Sequence, residues 1–100
     1  STADAWKGQV MLAASLYRGQ FTTGPLRLEV EFYLPRPKAR KNDDYVAVKP
    51  DIDNLLKSTM DALSDAGVWH DDAQVAAIVS TKRYESANQA IGAIIRLEGI

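Results

Sequence analysis

The chain has 100 residues, of which 46% are hydrophobic and 25% charged, and its formal net charge is −1. This length and composition predict one globular domain, residues 1–100. With no cysteine and a single histidine, the chain cannot form disulfides or a zinc site built on thiolates and histidines. No apolar run approaches the roughly 20 residues that span a bilayer and we identify no signal peptide, so we expect a cytoplasmic protein.

The first third of the chain predicts a helix and then a strand. Ser1 or Thr2 can cap the helix, with Asp4 in its first turn, and Gly19 is predicted to end it. Its predicted apolar face comprises Val10, Leu12, Ala13, Leu16 and Tyr17. Residues 26–34 alternate between apolar and polar side chains, which is typical of a strand with one wet face. The buried side is predicted to carry Leu26, Leu28, Val30 and Phe32, and the wet side Arg27, Glu29 and Glu31.

A polar loop and a second helix follow. Pro35 and Pro37 end the strand, and the loop runs to Pro50, which is long enough in a small domain to suggest a functional segment. The helix is predicted from about Asp53 to Ala66, with Gly67 at its end. Its buried stripe, at helical spacing, is predicted to comprise Ile52, Leu55, Leu56, Thr59, Met60 and Leu63.

The last quarter of the chain predicts two strands, residues 75–84 and 90–97, because both segments are rich in β-formers. A short polar turn through Ser86, Asn88 and Gln89 separates them, so we expect them to pair as a hairpin. The order helix, strand, loop, helix, strand, strand predicts an α+β fold in which a small mixed β-sheet packs with two helices.

Two carboxylate clusters flank the second helix. Asp51 and Asp53 lie at its start, and Asp71 and Asp72 follow its end. Carboxylates grouped together repel one another unless a cation holds them, and oxygen ligands of this kind favour Mg²⁺, with Mn²⁺ as a substitute. Lys57 lies four residues after Asp53, so its charge belongs on the same helix face. It suggests a substrate whose negative charge grows during reaction. A phosphodiester fits that description, so the motif favours a nuclease.

The two-residue spacing of Asp51 and Asp53 favours an extended approach to the helix, because an uninterrupted helix would point their side chains about 200° apart. We therefore place Asp51 just before the helix and Asp53 at its cap or first turn, where the helix dipole stabilises both charges. Asp72 is expected to return toward a neighbouring part of this site from the loop after the helix. Asp61 is expected to lie too far along the helix to reach the same metal.

Each of these residues also has an ordinary structural explanation. Asp53 alone suits a helix N-cap, worth about 1 kcal/mol, and Asp53 with Lys57 suits a surface ion pair. Residues 71–72 suit a turn. Trp69 is expected to pack against the helix end, and His70 to be a half-exposed turn residue. One site explains this short segment better than several unrelated features.

A basic run precedes the acidic motif. Arg36, Lys38, Arg40 and Lys41 fall within six residues, whereas eight of the thirteen acids lie between positions 43 and 72. A metal ion held by the acids would leave the remaining surface positive, so the distribution of charge matters more than its sum. We expect these four residues to bind backbone phosphates of DNA. Without the acidic motif, the run would be interpreted as a solvated loop.

The acidic segment resembles that of the RusA-type Holliday junction resolvases, or crossover junction endodeoxyribonucleases. The residues that carry the resemblance are Lys49-Pro50-Asp51-Ile52-Asp53-Asn54-Leu55-Leu56-Lys57, Asp61-Ala62-Leu63, Ala66-Gly67-Val68-Trp69 and Asp71-Asp72-Ala73-Gln74-Val75. The close match covers about a quarter of the chain. The order of the predicted elements agrees with this family across the rest.

The resemblance implies a small, homodimeric, Mg²⁺-dependent endonuclease, often encoded by prophages, that cuts four-way junction DNA. It implies that Asp51, Asp53 and Asp72 are catalytic metal ligands and that Lys57 is a catalytic lysine that either acts on the base side or stabilises charge. A dimer with two-fold symmetry could offer one site to each of two junction strands. No small-molecule cofactor and no membrane partner are implied. The family has a strand and a polar, basic loop before its first helix, whereas this chain begins at that helix. Either the strand is absent and the sheet loses a member, or the chain has been trimmed or processed, as the missing initiator methionine suggests.

Two other functions stay open at this stage. A different metal-dependent nuclease on the same scaffold would cut flaps and other branched DNA as well as junctions. A DNA-binding module in which the carboxylates are structural would bind junctions without any metal-dependent cutting.

Overall fold

The computed structural model describes the backbone of residues 2–100 and the side chains of residues 5–100. Within this range the helices and strands follow the predicted order. They are α1 (Thr2–Ala14), β1 (Leu26–Leu34), α2 (Ile52–Asp65), β2 (Val75–Tyr84) and β3 (Gly92–Gly99), with one-turn 3-10 helices at Ser15–Tyr17, Lys38–Arg40 and Asp72–Gln74. The predicted cap at Ser1 or Thr2, and the predicted place of Asp4, lie outside the described side chains.

The three strands form one mixed sheet in the order β2-β1-β3. β1 is parallel to β2 and antiparallel to β3. The α+β architecture with a small mixed sheet is therefore confirmed. β1 is the central strand because its alternating apolar side chains lie in the hydrophobic core. Each of them is at most 1% exposed. These side chains are Leu26, Leu28, Val30 and Phe32.

The predicted hairpin between the last two strands is wrong. A local turn does form, with a bridge between Ser86 and Gln89, but β3 then pairs with β1 rather than with β2. The connection crosses the end of β1, where Glu85 N donates a hydrogen bond to Leu34 O at 2.8 Å. The physical reason is that a central strand needs hydrogen-bond partners on both edges, and β3 satisfies the second edge of the most apolar strand.

The predicted apolar face of α1 is only partly correct. Val10 is buried, but Leu12 and Leu16 are 78% and 82% exposed, and Ala13 and Tyr17 are exposed as well. The face that packs on the sheet instead follows Trp6, Val10 and Ala14 at intervals of four residues. Two features explain the difference. Trp6 packs against Phe32, with ring centroids 5.8 Å apart, and the helix changes to a 3-10 turn after Ala14, which rotates the following side chains off the face.

α2 agrees with its prediction to within one residue at each end. Thr59, Ala62 and Leu63 are buried, and the other apolar residues of the predicted stripe pack partly buried against the core. Gly67 follows the helix with φ +72°, a conformation that glycine adopts without strain. Among the described residues, no helix has the length and apolar character needed to cross a membrane.

Candidate active site at the start of α2

The start of α2 presents two exposed carboxylates. Asp51 is the N-cap residue, with extended backbone angles of φ −70° and ψ 140°, and Asp53 lies in the first helical turn. The extended approach expected from their spacing is therefore present. The carbonyl of Asp51 accepts a hydrogen bond from Leu55 N at 3.2 Å and so begins the helix. Negative charge at this end is stabilised by the helix dipole.

Ordinary helix capping does not explain these two residues. The Asp51 side chain makes no capping hydrogen bond, is 54% exposed, and places Oδ2 3.9 Å from Lys49 Nζ. An exposed ion pair at this distance contributes little to stability. Asp53 Oδ1 accepts a hydrogen bond only from the adjacent Asn54 N, at 2.9 Å, among the described residues. Both carboxylates therefore retain oxygen atoms that can bind a cation.

Lys57 lies one turn after Asp53 and is paired with the next acid along the helix. Its Nζ is 3.5 Å from Asp61 Oδ2, and its side chain is 77% exposed. An exposed pair of this kind is worth roughly 0.3–0.5 kcal/mol. Asp53 and Asp61 lie one turn on either side of Lys57, so its ammonium can turn from one carboxylate toward the other at small cost.

The second carboxylate cluster divides into a structural residue and an exposed one. Asp71 Oδ1 accepts a hydrogen bond from Ala73 N at 2.8 Å, while Gln74 Oε1 accepts one from Asp71 N at 3.0 Å. This reciprocal capping box fixes the one-turn helix at Asp72–Gln74. Gln74 Nε2 also donates to Phe21 O at 2.9 Å. Asp71 is thus used in folding, whereas the Asp72 carboxylate is exposed.

Within one chain the structure does not bring Asp72 to Asp51 and Asp53. The segment that leads to Asp72 is fixed beside the C-terminal end of α2, where Trp69 Nε1 donates to Ser64 Oγ at 2.7 Å. Asp53 lies at the other end, and a helix of this length separates the two ends by about 20 Å. Among the described residues, no three acidic or histidine side chains are grouped closely enough to hold a metal ion.

A residue that the sequence prediction did not identify lies beside the entrance to α2. Lys82 Nζ donates hydrogen bonds to Val48 O and Pro50 O, both at 2.8 Å. Lys82 is the register partner of the buried Phe32, so its side chain leaves the sheet on the core-facing side. A lysine directed toward the core is unusual unless its charge is satisfied. Residues 75–84 do not alternate regularly between apolar and polar side chains, so the sequence carried no local signal for this position.

The basic run contains one residue that shapes the loop and three that are exposed. Arg36 Nη1 donates to Arg40 O at 2.7 Å and to Asp43 O at 2.6 Å, and its guanidinium lies over the Tyr84 ring. Arg40 is 52% exposed and lies 3.6 Å from an Asp43 carboxylate oxygen. Lys38 and Lys41 are exposed. The loop therefore presents three cations, while the Arg36 guanidinium is occupied by the backbone carbonyls of Arg40, Asp43 and Glu85.

The two other residues singled out beside the acidic cluster follow their structural explanations. Trp69 is 3% exposed and belongs to the core, which agrees with packing against the helix end. His70 is exposed, and its backbone N–H donates to Gln74 Oε1 at 2.8 Å.

The opposite face of the sheet carries a separate acidic pair that arginine neutralises. Arg96 Nη1 lies 2.8 Å from Glu29 Oε2 and 2.6 Å from Glu31 Oε2. The hydrogen bond from Arg96, followed by one from Tyr33, lowers the pKa of Glu31 below its ordinary value, because both stabilise the carboxylate. The hydrogen bond between Tyr33 and Glu31 also raises the pKa of Tyr33. This pair is a structural cross-link between strands.

Comparison with known proteins identifies the family. The family model described as endodeoxyribonuclease RusA matches residues 1–96. The chain belongs to the RusA family. The match covers α1, β1, α2 and β2 and the part of β3 up to residue 96, well beyond the acidic segment that carries the resemblance.

Individual proteins match this chain over shorter stretches. The chain is 33% identical over 91 residues to the uncharacterized protein YqaN of Bacillus subtilis strain 168, which covers 79% of this chain and 63% of that protein. It is 39% identical over 51 residues to the crossover junction endodeoxyribonuclease of Enterobacteria phage 82, and equally to RusA of Escherichia coli strain K12. Each of these matches covers 51% of this chain and 34% of the enzyme. The chain thus spans less than two thirds of the length of these relatives.

Proposed function

We propose that the protein is a metal-dependent endodeoxyribonuclease that resolves four-way DNA junctions by paired, symmetric nicks. The observation that carries this proposal is a pair of exposed carboxylates, Asp51 and Asp53, at the start of α2 in a chain of the RusA family. RusA relatives are named as crossover junction endodeoxyribonucleases.

The cofactor that suits these residues is Mg²⁺, with Mn²⁺ as a substitute, because both ions prefer oxygen ligands. Asp51 and Asp53 supply such ligands from one helix end, and Asp72 is the proposed third. A divalent cation there would activate water and stabilise charge on a phosphodiester. Lys57, one turn along the same helix, would add positive charge beside the phosphate as its negative charge develops.

We propose that the protein acts as a homodimer and that Asp72 reaches the site from a second copy. Within one chain Asp72 lies at the opposite end of α2 from Asp53, so one chain alone cannot supply all three ligands. In a dimer with two-fold symmetry, each copy can give its Asp72 to the other and receive one in return. The two sites that result match the near two-fold symmetry of a four-way junction.

The proposed DNA contacts come from the loop between β1 and α2. Lys38, Arg40 and Lys41 would bind backbone phosphates, since they are exposed and this contact requires no particular base. Arg36 would act indirectly, by holding the loop in shape through the carbonyls of Arg40 and Asp43. Binding of this kind weakens steeply as the salt concentration rises.

The function is tested with a labelled synthetic four-way junction and a linear duplex of the same sequence. We expect paired nicks in the junction alone, with Mg²⁺ or Mn²⁺, and no cutting in EDTA. Asp53→Asn is expected to abolish cutting while preserving junction binding, because it removes one charge and keeps the size of the side chain. Asp61→Asn, one turn beyond Lys57, is the matched control and should keep most activity.

Other outcomes separate the alternatives. Equal cutting of flaps and junctions would support a general branched-DNA nuclease. Tight junction binding without cutting under every divalent metal would leave a structure-specific binding protein and would overturn the proposal.

A further inference from the structure

Lys82 connects β2 to the chain that enters α2. Its Nζ donates hydrogen bonds to Val48 O and Pro50 O, both at 2.8 Å, and its backbone carbonyl accepts one from Val46 N at 3.0 Å. Pro50 O belongs to the peptide bond that joins Pro50 to Asp51. One residue of the sheet therefore holds the approach to the acidic pair at three backbone positions.

We propose that Lys82 is a positioning residue for the acidic site, a role that rests on the proposed function of that site. It fixes the backbone of residues 48–50, so that Asp51 caps the start of α2 in its extended conformation and presents its carboxylate on the same helix end as that of Asp53. No described hydrogen bond from the Asp51 side chain orients it on the helix, so its position depends on the backbone that precedes it.

An ammonium group suits this role because it offers several donors to carbonyls that converge. Charged donors make hydrogen bonds about twice as strong as neutral ones. The side chain is also half-buried on the core-facing side of the sheet, and both of its hydrogen bonds to these carbonyls are 2.8 Å long. Lys49, in contrast, is 89% exposed and lies 3.9 Å from the Asp51 carboxylate.

The direction in which Mn²⁺ affinity changes when a lysine is replaced distinguishes a positioning role from a simple electrostatic effect. Removing a nearby positive charge should strengthen the binding of a divalent cation, because it removes repulsion. Loosening the backbone that carries Asp51 and Asp53 should instead weaken the binding of the cation. Lys82→Met is therefore expected to weaken Mn²⁺ binding about tenfold, the scale of one lost charge-assisted hydrogen bond. Lys49→Met removes a charge without these bonds and should leave Mn²⁺ binding equal or slightly tighter.

Backbone hydrogen exchange tests the positioning itself without any metal. The Leu55 amide, which bonds to Asp51 O at 3.2 Å, reports the first turn of α2. We expect it to exchange about tenfold faster in Lys82→Met than in the wild type, with the Val30 amide in the centre of the sheet unchanged. Lys49→Met should leave both amides unchanged. Lys82→Arg, which keeps charged donors, should restore part of the protection and of the Mn²⁺ affinity.

The two measurements distinguish failure of this proposal from failure of the proposed function. Unchanged exchange at Leu55 in Lys82→Met, with the fold intact by circular dichroism, would overturn the positioning role. So would Mn²⁺ binding that is unchanged or tightened in Lys82→Met. If the wild type bound no Mn²⁺ in electron paramagnetic resonance titrations, the metal site would be wrong and with it the role of Lys82 toward that site. The exchange data would then show only whether Lys82 supports α2.

Discussion

Arg36 Nη1 lies 2.6 Å from the carbonyl oxygen of Asp43 and so closes the basic loop on itself. We therefore expect Arg36→Ala and Lys41→Ala to weaken junction binding in different ways. Lys41→Ala should lower the slope of log affinity against log salt concentration by about 0.9, the value for one phosphate contact. Arg36→Ala should weaken binding with a smaller change of slope, because the loop loses its shape. Fluorescence anisotropy at several salt concentrations measures both.

Hydrogen exchange of the loop provides the control for this comparison. The Arg40 amide donates to Pro37 O and the Asp43 amide donates to Arg40 O. Both amides should exchange faster in Arg36→Ala, and their exchange rates should not change in Lys41→Ala. Equal slopes for the two variants, with unchanged exchange, would mean that Arg36 contacts phosphate directly.

Mixing inactive subunits tests whether Asp72 acts across a dimer. Asp53→Asn and Asp72→Asn should each be inactive alone. If each site combines residues of two copies, a mixed dimer carries one intact site and one doubly substituted site. Equal mixing should then recover about a quarter of the wild-type sites, since half of the dimers are mixed. The measurements are nicking of a junction and the number of Mn²⁺ ions bound. No recovery after verified subunit exchange would show that the three acids act within one chain.

The absence of cysteine from the chain permits an independent test of the same arrangement. Asp53→Cys and Asp72→Cys chains, mixed and oxidised, should form a covalent dimer on a non-reducing gel if the two positions meet across the proposed interface. Asp61→Cys replaces Asp53→Cys in the control mixture and should cross-link less. A double variant that forms only an internal disulfide would contradict the shared site.

The hydrogen bond between α1 and α2 gives a prediction for the free energy of unfolding. Trp6 Nε1 donates to Thr59 Oγ1 at 3.0 Å, and the Thr59 side chain is fully buried. Thr59→Val keeps the shape but leaves the indole N–H without its acceptor, which should cost about 1–3 kcal/mol of unfolding free energy. Thr59→Ser keeps the hydroxyl and should cost only about 1 kcal/mol, through the lost methyl group. Urea denaturation measures both, and an equal cost for the two variants would argue against the hydrogen bond.

The lowered pKa of Glu31 predicts acid sensitivity of the sheet. Hydrogen bonds from Arg96 and then Tyr33 lower this pKa below the ordinary value of 4.5. The stability that they provide is therefore fully present above pH 4.5 and is lost as the pH falls through the lowered value. We expect the urea midpoint of the wild type to fall more steeply below this pH than that of Glu31→Gln. Parallel curves for the two proteins would contradict the contribution of Glu31.

Local patterns in the sequence predicted most of the elements because local interactions determine them. β1 and β2 occupy the predicted residues, because β1 alternates regularly over nine residues and β2 is rich in β-formers. α2 was located by its apolar stripe and by Gly67. The position of Asp51 before the helix followed from its two-residue spacing from Asp53, because an uninterrupted helix would point the two side chains apart.

The features that the sequence did not reveal depend on contacts between distant residues. The position of β3 beside β1 depends on which edge is open after the crossover, which no local pattern encodes. The separation of Asp72 from Asp53 depends on the bonds of Trp69 and Gln74 at the other end of α2. Lys82 was missed for the same reason, because its two acceptors lie more than thirty residues away.

The parallel pairing of β1 with β2 has a consequence for how the protein would acquire the proposed activity. Every candidate functional residue, from Arg36 to Lys82, lies either in the connection between these two strands or on β2 itself. Parallel strands cannot pair until that whole connection has closed, which makes such pairing a late and entropically costly step in folding. The acidic pair and the Lys82 hydrogen bonds that position it therefore form together with the sheet. Partly folded chains are expected to lack the proposed nuclease activity.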